Sequence, residues 1–129
     1  EVDLAVDGDG FLVNGDRAHM SGVFYNLFDN ALKYSKGEPV IRVNLTRKND
    51  EVKLDFKDQG IGIAREYHDK IFEKLFRVPQ QNRHDVKGHG LGLSYVADVI
   101  RQHHGHIDLV SEPGRGSTFS MTLPAWHDN

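Results

Sequence analysis

At 129 residues, 38% of them hydrophobic, the chain is long enough for a single core that buries roughly two-thirds of the surface exposed on unfolding. A net charge of -3 without a basic cluster argues against a nucleic-acid partner, and the absence of cysteine excludes a disulfide framework and is compatible with the cytosol. No run approaches the roughly twenty apolar residues of a membrane span, no signal peptide is visible, and direct membrane contact by this segment is not expected.

In chain order, short strands are expected at residues 2–6 and 11–13, followed by a long helix from Asp16, a suitable N-cap, to about residue 35. At about 100° per residue, His19, Gly22, Asn26, Asn30 and Lys33 fall in a stripe roughly 80° wide. The other side, with Met20, Val23, Phe24, Leu27, Phe28, Ala31 and Tyr34, is a broad apolar face suited to a sheet. Each helical asparagine costs about half a kcal/mol relative to alanine, so a pair one turn apart calls for a reason. A solvated helix face is one account. The other is a ligand site, because amide oxygens and an ammonium suit a hydrated metal ion and phosphate oxygens.

A hairpin follows, with strands at 39–48 and 52–57 joined at Asn49-Asp50. Period two puts Val52, Leu54, Phe56 and Asp58 on one face, so a carboxylate points where the apolar residues point. Unpaired there, it would cost several kcal/mol, so it requires a donor: a loop amide, or a ligand amine such as that of adenine. The glycines of Asp58-Gln-Gly60-Ile-Gly62-Ile63 permit close approach of backbone to such a ligand.

A second helix is expected over 65–75, and the polar, aperiodic segment 78–87 reads as a mobile lid. Gly88-His-Gly90-Leu-Gly92-Leu93 then opens a helix over 91–104 that stops at Gly105. Glycines leading into a helix start suit a sharp turn or a phosphate on free N–H groups. The spacing fits neither a Rossmann fingerprint nor a P-loop. Strands at 106–111 and 117–123, turning at Pro113-Gly114-Arg115-Gly116, close the chain. Eight histidines, three of them in His103-His104-Gly105-His106, lack the cysteines or the His-Glu-x-x-His pattern of a zinc site. They read better as a basic helix end near the C-terminal dipole.

Taken in order, these motifs resemble the catalytic ATP-binding domain of sensor histidine kinases, in the GHKL superfamily that also holds gyrase, MutL and a heat-shock chaperone. Asn26-Leu-Phe-Asp-Asn-Ala-Leu-Lys-Tyr34 looks like the N box, Asp58 to Gly62 the G1 box, Ile71-Phe-Glu-Lys-Leu-Phe-Arg77 the F box, and Gly88 to Leu93 the G2 box. Gly114 to Pro124 matches the closing strand, so the resemblance covers nearly the whole chain. It implies one domain over 1–129 with a lid at about 77–90, and an α/β two-layer sandwich of Bergerat type, three helices on one face of a mixed sheet.

The resemblance also implies site roles. Asn30 would be the Mg²⁺ ligand, supported by Asn26, with Lys33 and Tyr34 on the phosphate and sugar side. Asp58 would receive the adenine amine, with Gly60, Gly62, Ile63 and Ser117 around the base. Arg77, together with Lys33, would act on the transferring phosphate, where a guanidinium stabilises charge. Gly88, Gly90, Leu91 and Gly92 would supply amides to the phosphates. His89 departs from the family, which more often has Thr or Phe there. In hydrolytic members of the superfamily a glutamate one turn before the Mg²⁺ asparagine is the base for water. Here Asn26 occupies that place, so hydrolysis should be slow.

The family's phosphate-accepting histidine lies in a separate dimerising segment, within a box that none of the histidines here occupies. The expected partners are that histidine-bearing dimerisation domain of the same parent protein and a downstream response regulator. The expected setting is the cytoplasm, as an excised part of a parent that the inner membrane can anchor. A nucleotide-sensing module without transfer, or a superfamily ATPase, is the alternative.

Overall fold

The computed structural model describes residues 2–7, 17–35, 37–74, 76 and 92–125. The strand expected at 11–13, the cap at Asp16 and the lid at 77–90 lie outside the described residues.

Strands β1 (Val2–Asp7), β2 (Ile41–Lys48), β3 (Glu51–Asp58), β4 (His106–Glu112) and β5 (Gly116–Pro124) form one sheet in the order β1-β2-β3-β5-β4. The β1–β2 pair is parallel and the remaining pairs are antiparallel, which makes the sheet mixed. In β3 the expected period of two is present, with Val52, Leu54, Phe56 and Asp58 buried and Glu51, Lys53 and Lys57 exposed. The β2–β3 turn bends at Asn49, whose φ of 55° is a left-handed value that asparagine tolerates.

Helices α1 (Arg17–Lys33) and α2 (Gly92–Gln102) bury their apolar stripes against the inner face of the sheet. Val23, Leu27 and Ala31 of α1 join Val96, Val99 and Ile100 of α2, and beneath them lie Leu54, Phe56, Phe119 and Met121 of the central strands. The Phe28 ring meets Phe56 edge to face, centroids 4.9 Å apart, which fixes α1 over β3 two residues before Asp58.

Two expectations require correction. The described residues contain two α-helices, not three: in place of a helix over 65–75 stand two single 3-10 turns, Arg65–Tyr67 and Lys70–Phe72. Ala64 and Asp69 in the cap positions make no side-chain cap bond, and Glu73 is extended at ψ 142°. Without a cap, so short a segment holds only i→i+3 bonds, and its apolar side chains decide its path. Ile71 is buried in the core cluster, Tyr67, Phe72 and Phe76 pack against it, and the Phe72 ring stands edge-on to Phe119 at 6.2 Å.

The second correction is the end of α2. The helix ends at Gln102 rather than at 104, and the residue that turns left-handed after it is His104 (φ 65°). Its N–H bonds to the Arg101 carbonyl at 3.0 Å and the Gly105 N–H to the Ile100 carbonyl at 2.9 Å, the paired bonds of a Schellman cap. Gly105 is glycine for a different reason, since a Cβ there would collide with the Thr122 carbonyl of β5.

Candidate functional site

Asp58 closes β3 at one end of the sheet, flanked in register by Ile41 of β2 and Ser117 of β5. It is 7% exposed, and its Oδ1 accepts the Gly60 N–H at 2.9 Å. Burial pushes the carboxyl above its ordinary value of 3.8, against the lowering effect of backbone N–H groups of Gly60 and Ser117. A loop amide is thus one donor that the sequence calls for, and a carboxylate has room for more.

The loop after Asp58 is tied at both sides. Ser35 and Gly60 form an antiparallel bridge, and the Ile61 N–H donates to the Tyr34 carbonyl at 3.0 Å, which joins the loop to the end of α1. On the other side the Gly114 N–H donates to the Ile61 carbonyl at 2.7 Å. Gly62 has φ 76°, and a Cβ there would run into the Glu112 carbonyl, so no other residue fits without displacing the β4–β5 hairpin. His68 holds the loop from below, its Nε2 standing 2.8 Å from the Ile63 carbonyl oxygen.

Sequence reasoning missed Ser111. Its buried hydroxyl stands 2.7 Å from the Ile63 nitrogen, 2.9 Å from the Gly116 carbonyl oxygen and 2.7 Å from Ser117 Oγ. The signal available in the sequence was period two in β4, where Ile107, Leu109 and Ser111 share a face and a serine ends the row.

The polar stripe of α1 divides. Its first turns lie against α2: the Tyr95 hydroxyl donates to the His19 carbonyl at 3.3 Å, and a Cβ on Gly22 would lie 2.6 Å from that hydroxyl. Asn26 Nδ2 donates to the Gly22 carbonyl at 2.7 Å, and its Oδ1 faces Gly92 at the start of α2. Further along, the half-buried Asn30 side chain makes no hydrogen bond among the described residues. Lys33 Nζ pairs with Asp29 Oδ2 at 2.9 Å, a half-exposed contact of the i,i+4 kind that is worth only a few tenths of a kcal/mol. The fold therefore brings Tyr34, Asp58, Gly60, Gly62, Ile63 and Ser117 into one cluster, and joins Asn26 to Gly92. Arg77, Gly88, His89, Gly90 and Leu91 lie outside the described residues.

Comparison with known proteins assigns this arrangement. Residues 15–127 match the family described as histidine kinase-, DNA gyrase B-, and HSP90-like ATPase. The chain belongs to this family. It is 43% identical over 115 residues to the sensor protein RprX of Bacteroides fragilis, covering 88% of this chain and 22% of that one. It is 34% identical over 129 residues to the sensor-like histidine kinase SenX3 of Mycolicibacterium smegmatis, covering 99% of this chain and 34% of that one. Among solved structures, the mycobacterial sensor histidine kinase MprB superposes with a TM-score of 0.80 at 26% identity, over 96% of this chain and 82% of that one. This chain thus spans about a fifth and about a third of the length of these two curated relatives. Within the family, the fold is the ATP-binding one, a mixed sheet with helices on one face. No helix among the described residues is long and apolar enough to cross a membrane.

Proposed function

We propose that this chain binds Mg-ATP and supplies the γ-phosphoryl group to a histidine on a separate dimerising segment of its parent protein. The observation that carries the reading is Asp58, a carboxylate buried at the strand end whose Oδ1 accepts the neighbouring Gly60 N–H. It is an acceptor suited to an exocyclic amine, in a chain whose family binds ATP. Gly60, Gly62, Ile63 and Ser117 frame the base around it, and Tyr34 borders the sugar.

Among the described residues no group of three or more His, Cys, Asp or Glu side chains could hold a metal. The ion of this reading would arrive with the nucleotide, held mainly by phosphate oxygens and water and by one protein oxygen, that of Asn30, whose half-buried amide is an oxygen donor of the kind Mg²⁺ takes. When bound, the ion would neutralise phosphate charge. Lys33, exchanging Asp29 for phosphate, and Arg77 would orient and stabilise the group in transfer, and Gly88, Gly90, Leu91 and Gly92, at the junction of a lid at 77–90 with α2, would offer backbone N–H groups. Asn26 supports Asn30 by fixing α1 against α2. An amide in place of a basic glutamate gives no acceptor for a water proton, which favours transfer to histidine over hydrolysis.

The partners of this reading are the histidine-bearing dimerisation domain and, after it, a response regulator, on the cytoplasmic side of a parent that a membrane can anchor. The test is labelling with γ-labelled ATP of the domain alone, with its own histidine segment, and with Arg77→Ala plus the segment. The expected result is little label on the domain alone, acid-labile label on the added segment, and a large loss with Arg77→Ala, because positioning dominates phosphoryl transfer. Strong acid-labile labelling of the domain alone, or transfer indifferent to Arg77, would overturn the reading.

A further inference from the structure

The buried hydroxyl of Ser111 has one proton and two lone pairs, and it has three neighbours within hydrogen-bond distance. The Ile63 N–H, at 2.7 Å, can only donate to it. The Gly116 carbonyl, at 2.9 Å, can only accept from it, and that bond consumes the Ser111 proton. Ser117, at 2.7 Å, must then be the donor to Ser111 Oγ, because the opposite direction would leave Gly116 facing an oxygen with no proton between them. This arrangement saturates Ser111, and it takes the proton of Ser117 out of circulation.

Ser117 is the direct cross-strand partner of Asp58 on the inner face of the sheet. Side chains so paired stand about 5 Å apart, so a group seated on Asp58 also meets the oxygen of Ser117. With its proton committed to Ser111, that oxygen offers lone pairs only. We propose that Ser111 is a positioning residue that sets the hydrogen-bond polarity of this wall, making Asp58 and Ser117 a paired acceptor that takes a ring edge bearing an amine and rejects one bearing a carbonyl there. The inference rests on the reading that the nucleotide base sits beside Asp58.

Two effects of Ser111→Ala can be separated. Loss of the bond to Ile63 would loosen the loop and weaken every nucleotide alike. Release of the Ser117 proton would act oppositely on two bases, since a free hydroxyl can donate to a carbonyl. The probes are ATP and inosine triphosphate, which carries a carbonyl in place of the adenine amine, titrated calorimetrically into the wild type and the variants. In Ser111→Ala, ATP affinity should fall and inosine triphosphate affinity should rise, each by about three- to tenfold, as one hydrogen bond is worth. The gain should vanish in Ser111→Ala combined with Ser117→Ala. Ser117→Ala alone should weaken ATP without weakening inosine triphosphate, since it removes an acceptor for the amine and a lone pair facing the carbonyl, which keeps the inference testable if Ser111→Ala does not fold. A parallel loss of both nucleotides in Ser111→Ala, an unchanged ratio, or an equal loss of both in Ser117→Ala would overturn it. Failure of the wild type to bind ATP would instead sink the nucleotide reading itself.

Discussion

Asn26 and Gly92 meet where α1 crosses the start of α2: a Cβ on Gly92 would lie 2.9 Å from Asn26 Oδ1. The amide cannot simply turn away, because its Nδ2 is held by the Gly22 carbonyl at 2.7 Å. Gly92→Ala should therefore destabilise the fold by about 1 kcal/mol despite the better helix propensity of alanine. In an Asn26→Ala background the same change should be neutral or stabilising. A double-mutant cycle by denaturant unfolding measures the coupling, and additive effects would contradict a direct contact.

Asp58 gives a pH signature of the buried carboxyl. A group whose folded pKa is raised binds its proton more tightly in the folded chain, so its contribution to stability is complete below pH 3.8 and is lost as pH rises through the raised value. Asp58→Asn removes that loss and keeps an oxygen for the Gly60 N–H. Relative to the wild type, the variant should gain stability as pH rises from 3.8 towards neutrality. Unfolding curves across that range test it, and a constant difference between the two proteins would contradict it.

His104 holds a left-handed conformation at φ 65°, which costs a residue with a Cβ roughly 1–2 kcal/mol. His104→Gly should stabilise the chain by about 0.5–1 kcal/mol once the greater chain entropy of glycine is subtracted. Gly105→Ala, one residue on, should destabilise it, because the added Cβ meets the Thr122 carbonyl. Melting temperatures that moved in the opposite order would show the cap to be misassigned.

The contrast between these neighbours shows what was legible in the sequence. That α2 ends near Gly105 follows from local composition, but which residue turns left-handed depends on β5, which lies far along the chain. The burial of Asp58 was readable because period two in Val52, Leu54 and Phe56 sets its direction without knowledge of any partner. The stretch over 65–75 misled because Tyr67 and Ile71 stand at helical spacing, whereas the missing side-chain caps at Ala64 and Asp69 and the extended Glu73 prevent a helix. The stripe on α1 read as one surface, yet Tyr95 and Gly92 of α2 cover the end that holds His19, Gly22 and Asn26. Ser111 escaped notice because its partners come from the loop after β3 and from β5, and only the register of the sheet brings them together.

Asn30 is the residue assigned to the metal. Asn30→Ala should weaken binding of ATP with Mg²⁺ far more than binding of ATP in chelator, since in the proposed arrangement the amide oxygen would serve the ion and not the base. Calorimetry in the two conditions reads the difference, and equal losses would remove Asn30 from the metal.

The central claim is that Asp58 receives the amine of adenine, and titration of ATP and GTP into wild type and Asp58→Asn at neutral pH tests it most directly. The wild type should prefer ATP, and the variant, folded by its melting curve, should lose about ten- to a hundredfold in ATP affinity while its preference over GTP narrows, as for one charge-assisted bond. Undiminished ATP affinity in the folded variant, or a wild type that does not distinguish the two nucleotides, would contradict the account.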